Sequence, residues 1–221
     1  MHLGEGGRPA GGPAAAGTTP PGGDAVDVPV PPATDEDLVR QACQGDQDAF
    51  AELVRRHHGL VYNLCLRLVG QPADAADATQ EVFLRVYTRL GHFRGQARFR
   101  TWLYRIAVNT CQDELRRRRR RPRLLGDLGR DAAADGPPPP AGAVLAREVR
   151  AAVAAALAAL PEPFRVAVVL RDLHHLSYEE IGAVLGLPPG TVRSRIHRGR
   201  LLLRDALTRA GWAPGTGGET P

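Results

Sequence analysis

The chain has 221 residues, 43% hydrophobic and 24% charged, enough for one large or two small domains and too many for a single disulfide-stapled module. All 29 of its basic residues are arginine; against 24 acids they give a net charge of +5. Cys43, Cys65 and Cys111 form no Cys-x-x-Cys pair, and no stretch approaches the roughly eighteen apolar residues of a membrane span. The composition therefore argues against a disulfide framework, a zinc site, a signal peptide and membrane insertion, and for a cytoplasmic protein with reduced, semi-buried thiols.

Residues 1–34 hold eight Gly and seven Pro with almost no large apolar side chains, so they cannot offset the entropy of ordering and read as a disordered tail. From residue 35 to 121 the apolar residues recur at helical period, as in Val61, Leu64, Cys65 and Leu68, then Val82, Phe83, Val86 and Leu90. Four helices are expected here, with Asp46 and Asp74 as N-caps. Residues 122–143, with Gly126, Gly129, Gly136 and the run Pro137 to Pro140, read as a flexible linker.

A second helical domain is expected over 144–209, with helices at Val144 to Leu160, Phe164 to Leu173 and from Ser177 to near Gly186, and a last one from about Gly190 to Arg209. Ser177-Tyr178-Glu179-Glu180 fits a capping box, and the short turn after Gly186 has the spacing of a helix-turn-helix. Residues 210–221 read as a second disordered tail. The fold class is all-α: two small helical domains joined by a flexible linker.

Charge is clustered rather than spread. From Asp35 to Leu84 nine acids stand with four arginines, whereas from Arg85 to Arg123 thirteen arginines stand with Asp113 and Glu114. Such clusters create a field that attracts polyanions. The segment Arg85 to Arg105 interleaves six arginines and His92 with Tyr87, Phe93, Phe99, Trp102 and Tyr104. Cations neutralise phosphates while aromatic rings stack on unpaired bases, the combination that single-stranded nucleic acid requires. The spacing 99, 102, 103, 106 also puts some of these rings in a core, so they divide between the two roles.

On the last helix, with Val192 at zero, Ile196, Gly199 and Leu203 fall at about 40°, 340° and 20°, one buried stripe. Ser194, His197 and Arg198 fall at about 200°, 140° and 240° and point away from it, flanked by Arg193, Arg195 and Arg200, as a helix entering a major groove requires. Asp77, Gln80, Glu81 and Leu84, at i, i+3, i+4 and i+7, share a face that suits a basic protein surface better than DNA, or is an ordinary solvated stripe.

Two blocks of residues carry a resemblance. Asp74-Ala75-Ala76-Asp77-Ala78-Thr79-Gln80-Glu81-Val82-Phe83, Phe93-Arg94-Gly95 and Thr101-Trp102-Leu103-Tyr104-Arg105-Ile106-Ala107-Val108-Asn109 are similar to region 2 of extracytoplasmic-function sigma factors. Leu176-Ser177-Tyr178-Glu179-Glu180-Ile181-Gly182 with Gly190-Thr191-Val192-Arg193-Ser194-Arg195 resembles their region 4.

The resemblance implies a bacterial initiation factor that binds core RNA polymerase and directs it to promoter DNA, as a monomer within the holoenzyme. By motif, Asp77, Gln80, Glu81 and Leu84 fall where the family docks on the polymerase clamp helices, and the second domain would meet the flap. His92 to Arg98, with Arg94, Gln96 and Arg98, fall where the family takes a flipped base of the minus-ten element. Phe99, Arg100, Thr101, Trp102, Arg105 and Asn109 fall on the helix that reads and melts that element. Thr191, Ser194, His197 and Arg198 fall where the minus-thirty-five element is read, with Arg193, Arg195 and Arg200 on phosphates. If four arginines of this helix neutralise phosphates, the salt slope is about −3.6. A cognate anti-sigma factor is implied as well.

Two departures stand out. Ala76 replaces an acid common in the family, which puts one polymerase contact in doubt. Trp102-Leu103 replaces the tandem tryptophans of primary sigma factors, which predicts weaker melting and dependence on a close promoter match. The Arg116 to Arg121 run fits either an upstream DNA contact or a solvated helix end favoured by the helix dipole. His57-His58 and His174-His175 lack metal-ligand spacing and read as structural, and no catalytic residue, metal set or cofactor is expected. The alternatives are a stand-alone helix-turn-helix regulator and an RNA-binding adaptor.

Overall fold

The structure, a computed structural model, describes residues 33–95, 97–120 and 141–212, the side chains of 141–144 excepted. The tail readings over 1–32 and 213–221, the linker over 121–140, and Gln96 lie outside the described residues. Helix α1 (Asp35–Cys43) opens on a capping box in which Thr34 and Asp37 satisfy each other's backbone amides. Helix α2 (Gln47–Val69) starts at Asp46, whose Oδ1 accepts from the amides of Asp48 at 2.9 Å and Ala49 at 3.0 Å. It stops at Gly70, in the left-handed region at φ 89°.

Helix α3 (Pro72–Arg89) begins earlier than the sequence suggested. Gln71 is its N-cap and Pro72, whose fixed φ suits the first helical position, takes the place ahead of Asp74. Asp74 instead lies in the first turn and pairs with Arg118 of α4 (Phe99–Arg120). A 3-10 turn at Leu90–His92 links α3 to the loop before α4.

Helix α5 (Ala141–Ala159) starts three residues before the expected Val144, since Ala141 and Ala143 favour helix as strongly as its later alanines do. Helix α6 (Glu162–Val168) passes into a π-helical turn, Val169–Leu173. Helix α7 (Tyr178–Leu185) carries the Ser177–Glu180 capping box, with Glu180 N to Ser177 Oγ at 3.1 Å and the reciprocal bond at 2.8 Å, and ends on left-handed Gly186. Helix α8 (Pro189–Arg209) completes the helix-turn-helix. No strand occurs among the described residues.

The periodic positions become the core. Val61, Leu64, Cys65, Leu68, Val82, Val86, Leu103 and Ala107 are buried between α2, α3 and α4. Leu157, Val166, Val169, Leu170, Ile181, Val192 and Ile196 do the same in the second half. Gly199 lets α8 approach α6 closely: a Cβ there would meet Val168 Cγ2 at 2.6 Å. Cys65 and Cys111 are fully buried rather than semi-buried, and Cys43 is exposed. The hydrogen bond with Cys65 and burial push the Cys111 thiol upward, away from the reactive thiolate.

The two helical halves are not held apart. Helices α2 and α4 pack against α5, α6 and α7, and the described residues form one compact unit. Arg165 of α6 donates to the Leu68 carbonyl at the end of α2, at 2.9 Å, which satisfies an acceptor the helix itself leaves open. A second tie joins α4 to His174, just past the π-helical turn.

Candidate nucleic-acid interface

The loop before α4 is pinned from beneath by rings. Phe93 packs against Phe99 at 6.0 Å and Trp102 at 5.2 Å between centroids, and Phe99 meets His57 at 5.4 Å. His57 in turn is held by Asp35, 2.7 Å from its Nε2. Gly95 takes φ 66°, a turn that suits glycine, and Arg94 and Arg98 project into solvent on either side of it.

The aromatic residues divide sharply. Phe99 and Tyr104 are each 1% exposed and serve the core, while Trp102 and Phe93 are half-buried and offer an edge at the surface. Thr101 is also buried, at 7%. Phe99 and Thr101 were expected on the minus-ten face and lie inside instead. Arg98 caps the helix, its carbonyl accepting from the Thr101 and Trp102 amides, and this start turns 99 and 101 inward.

Arg105 and Asn109 are exposed on the outer side of α4. Arg100 is exposed as well but already engaged: it donates to Tyr104 Oη at 3.2 Å and to the His174 carbonyl at 3.0 Å. Because the Tyr104 oxygen accepts from Arg100, its hydroxyl proton is free to go to His174 Nδ1, 3.0 Å away. Burial foremost, then the nearby positive charges of Arg100 and His175, lowers His174 from 6.5 to about 4. Burial likewise raises Tyr104. Nothing in the sequence signals this contact, whose partners are 70 and 74 residues apart.

On α8, Val192, Ile196 and Gly199 are buried and Arg193, Ser194, His197, Arg198 and Arg200 exposed, while Thr191 and Arg195 are half-buried. Arg193 lies over the Tyr178 ring at 5.6 Å and Arg198 over Phe164 at 5.9 Å, so both guanidinium groups rest on aromatic faces at the edge of the helix-turn-helix. Ser194 Oγ donates to the Thr191 carbonyl at 2.9 Å. Arg200, expected on phosphate, is gripped by both carboxylate oxygens of Asp172 in the π-helical turn, with Nε to Oδ2 at 3.0 Å. Asp172 was missed because its partner is 28 residues away.

On α3, Asp77, Gln80 and Leu84 are exposed and Glu81 half-buried. Leu84 is 61% and Tyr87 58% exposed, so apolar surface lies beside the acids, a mixture typical of a protein contact. Glu81 accepts from Arg85 at 2.7 Å, and Arg85 continues to Asp113 of α4 at 3.0 Å. The acidic face of α3 is thereby fastened to the basic helix beside it.

Residues 53–121 match the family described as Sigma-70 region 2, and residues 150–203 match Sigma-70, region 4. The chain is 40% identical over 180 residues to the RNA polymerase sigma-H factor of Pseudomonas aeruginosa, covering 78% of this chain and 93% of that protein. It is 41% identical over 174 residues to the ECF RNA polymerase sigma-E factor of Escherichia coli K12, covering 76% of this chain and 91% of that one. Among solved structures, that of CnrH in complex with the cytosolic domain of CnrY superposes with a TM-score of 0.60 at 32% identity, covering 80% of this chain and 97% of that chain. With both regions matched in order and relatives covered nearly end to end, the chain belongs to the extracytoplasmic-function sigma factors, transcription initiation factors that direct RNA polymerase to promoters.

Proposed function

We propose that this chain binds core RNA polymerase in the cytoplasm through the Asp77, Gln80, Glu81 and Leu84 face of α3 on the clamp helices, with the α6 to α8 half against the flap. The reading gives residues 35–121 the minus-ten element and 144–209 the minus-thirty-five element. Arg94, Gln96, Arg98, Arg100, Trp102, Arg105 and Asn109 meet the first. Thr191, Arg193, Ser194, Arg195, His197 and Arg198 meet the second. The chain acts by binding, and the polymerase supplies the chemistry. The reading includes an anti-sigma factor as a further protein partner, and the similar CnrH is itself solved in complex with another protein, the cytosolic domain of CnrY.

One observation carries most of this: a single chain pairs an exposed recognition helix, α8, with an Arg- and Trp-bearing helix, α4, and an acidic face on α3. A stand-alone regulator needs only the first. The reading also demands motion. Helices α4, α7 and α8 pack in succession, and packed helices lie roughly 8–10 Å apart, so α4 and α8 are at most about 20 Å apart. The two promoter elements are roughly 25 base pairs apart, about 85 Å at 3.4 Å per step. The halves must separate before both elements are read at once.

Run-off transcription with purified bacterial core polymerase on a promoter library, with and without this chain, tests the reading. Transcript starts sharing two spaced upstream motifs are expected. DNA binding without transcripts and without core association would instead establish the stand-alone regulator.

A further inference from the structure

Two polar side chains buried between the halves, with one arginine, form a single knot. Tyr104 of α4 is 1% exposed and His174 of the second half 5%, so neither can turn to water for a hydrogen bond. The Tyr104 hydroxyl lies 3.0 Å from His174 Nδ1, and the two rings meet edge to face at 5.2 Å. Arg100, one turn earlier on α4, closes the knot. Its Nε and Nη2 donate to the Tyr104 oxygen at 3.3 and 3.2 Å, and Nη2 also reaches the His174 carbonyl at 3.0 Å. Among the described residues no other donor reaches that carbonyl.

Arg100 thereby differs from the arginines assigned with it to the minus-ten element. Arg94, Arg98 and Arg105 have no side-chain hydrogen bond or ion pair among the described residues, whereas two of the three Arg100 nitrogens are occupied, one of them by the other half. Yet Arg100 is exposed, so a strand lying along the start of α4 can reach it. Its present acceptors are neutral. A phosphate is charged, matches the guanidinium fork with two oxygens and makes hydrogen bonds roughly twice as strong. Once Arg100 goes to a phosphate, the His174 carbonyl is left buried without a donor, which destabilises the packing of α4 on the second half.

We propose that the second half and the unpaired minus-ten strand compete for Arg100, so that the strand, by taking it, parts the two halves. This rests on the assignment of that element to α4. The single strand is the form that fits, because Arg100 lies two residues from the half-buried Trp102, whose surface edge can stack on a base that a duplex keeps hidden. The coupling is reciprocal: whatever factor the packing takes from the affinity for the strand, the strand takes from the packing. The chain alone is therefore closed and a weak binder, and a bound minus-ten strand frees the α6 to α8 half to reach its own element. Arg165, on the Leu68 carbonyl, holds the same closed form through a separate contact.

The test uses the full chain without polymerase and a labelled single-stranded oligonucleotide carrying the minus-ten motif found by run-off transcription. In the parental chain a saturating amount should raise the radius of gyration in small-angle scattering, and a duplex of the same sequence should not. His174→Ala, which removes the ring that Tyr104 bonds, should tighten binding of the oligonucleotide by about tenfold in fluorescence anisotropy. Arg165→Gln should tighten it as well, and this arm separates opening of the chain from a direct effect of His174 on DNA. In the holoenzyme, where the halves have already parted, His174→Ala should leave promoter affinity unchanged. A parental chain that binds the oligonucleotide and stays compact overturns the proposal, as does an equal rise with the duplex or parental affinity in either variant. If the holoenzyme shows no promoter preference, the functional reading fails and this inference with it; a preference together with any of those results sinks only the inference.

Discussion

Among single residues, Arg198 and Arg200 look alike in sequence and differ in surroundings. Arg198 leans on the Phe164 ring with its polar edge open, whereas both oxygens of Asp172 hold Arg200. Arg198→Ala should relax discrimination at one position of the upstream element, by about 1–3 kcal/mol, read in competition binding with single-base promoter variants. Arg200→Ala and Asp172→Ala should each cost less than about 1 kcal/mol in urea denaturation, because the pair is half-exposed and screened. The double variant should cost little more than either alone; additive losses would mean that the two side chains stabilise the fold separately.

For elements, caps and close packing decide. The helix-turn-helix is set by Ser177 at one end of α7 and left-handed Gly186 at the other, which together fix where α8 begins. Ser177→Ala removes one side of the capping box and should cost about 1 kcal/mol, lowering the melting temperature by roughly 2–4 °C. A thermal scan with an unchanged midpoint would show that packing of Ile181 and Val184 alone holds α7. These local features were legible in the sequence: Ser and Glu three apart, Gly at the stop and apolar residues at helical spacing. The start of α3 was not read correctly, because Pro72 and Asp74 both carry start signals and only one can open the helix.

For the whole molecule, the packing of α4 against the second half has a pH dependence. His174 lies between Arg100 and Tyr104 of α4, the adjacent His175 and, beyond Tyr104, Glu180 of α7. Packed, it takes a proton only near pH 4 rather than 6.5; separated, it returns to its ordinary value. Its folded value is depressed, so its contribution to the packed form is full above pH 6.5 and is lost as the pH falls toward 4. Between pH 7 and 5 the balance should move toward separation by about tenfold or more. Small-angle scattering should show the radius of gyration rising over this range, and His174→Gln should flatten that rise. An unchanged radius in the parental chain would mean that the other contacts, such as Arg165 to Leu68, suffice.

The helices, the two regions, the charge asymmetry and the outward face of α8 are all written in the linear order of residues. Each of these depends on residues within a few turns of one another, where helical period and capping chemistry act. Packing in three dimensions was needed to turn Phe99 and Thr101 inward while Trp102 keeps an edge outside, to bring Asp172 onto Arg200, and to close Arg100 and Tyr104 on His174. It also sets Asp113 between Arg85 and Arg116, and Glu114 between Arg117 and Arg118. Those outcomes turn on which helices pack on which sides, and partners dozens of residues apart leave no periodic trace in the chain.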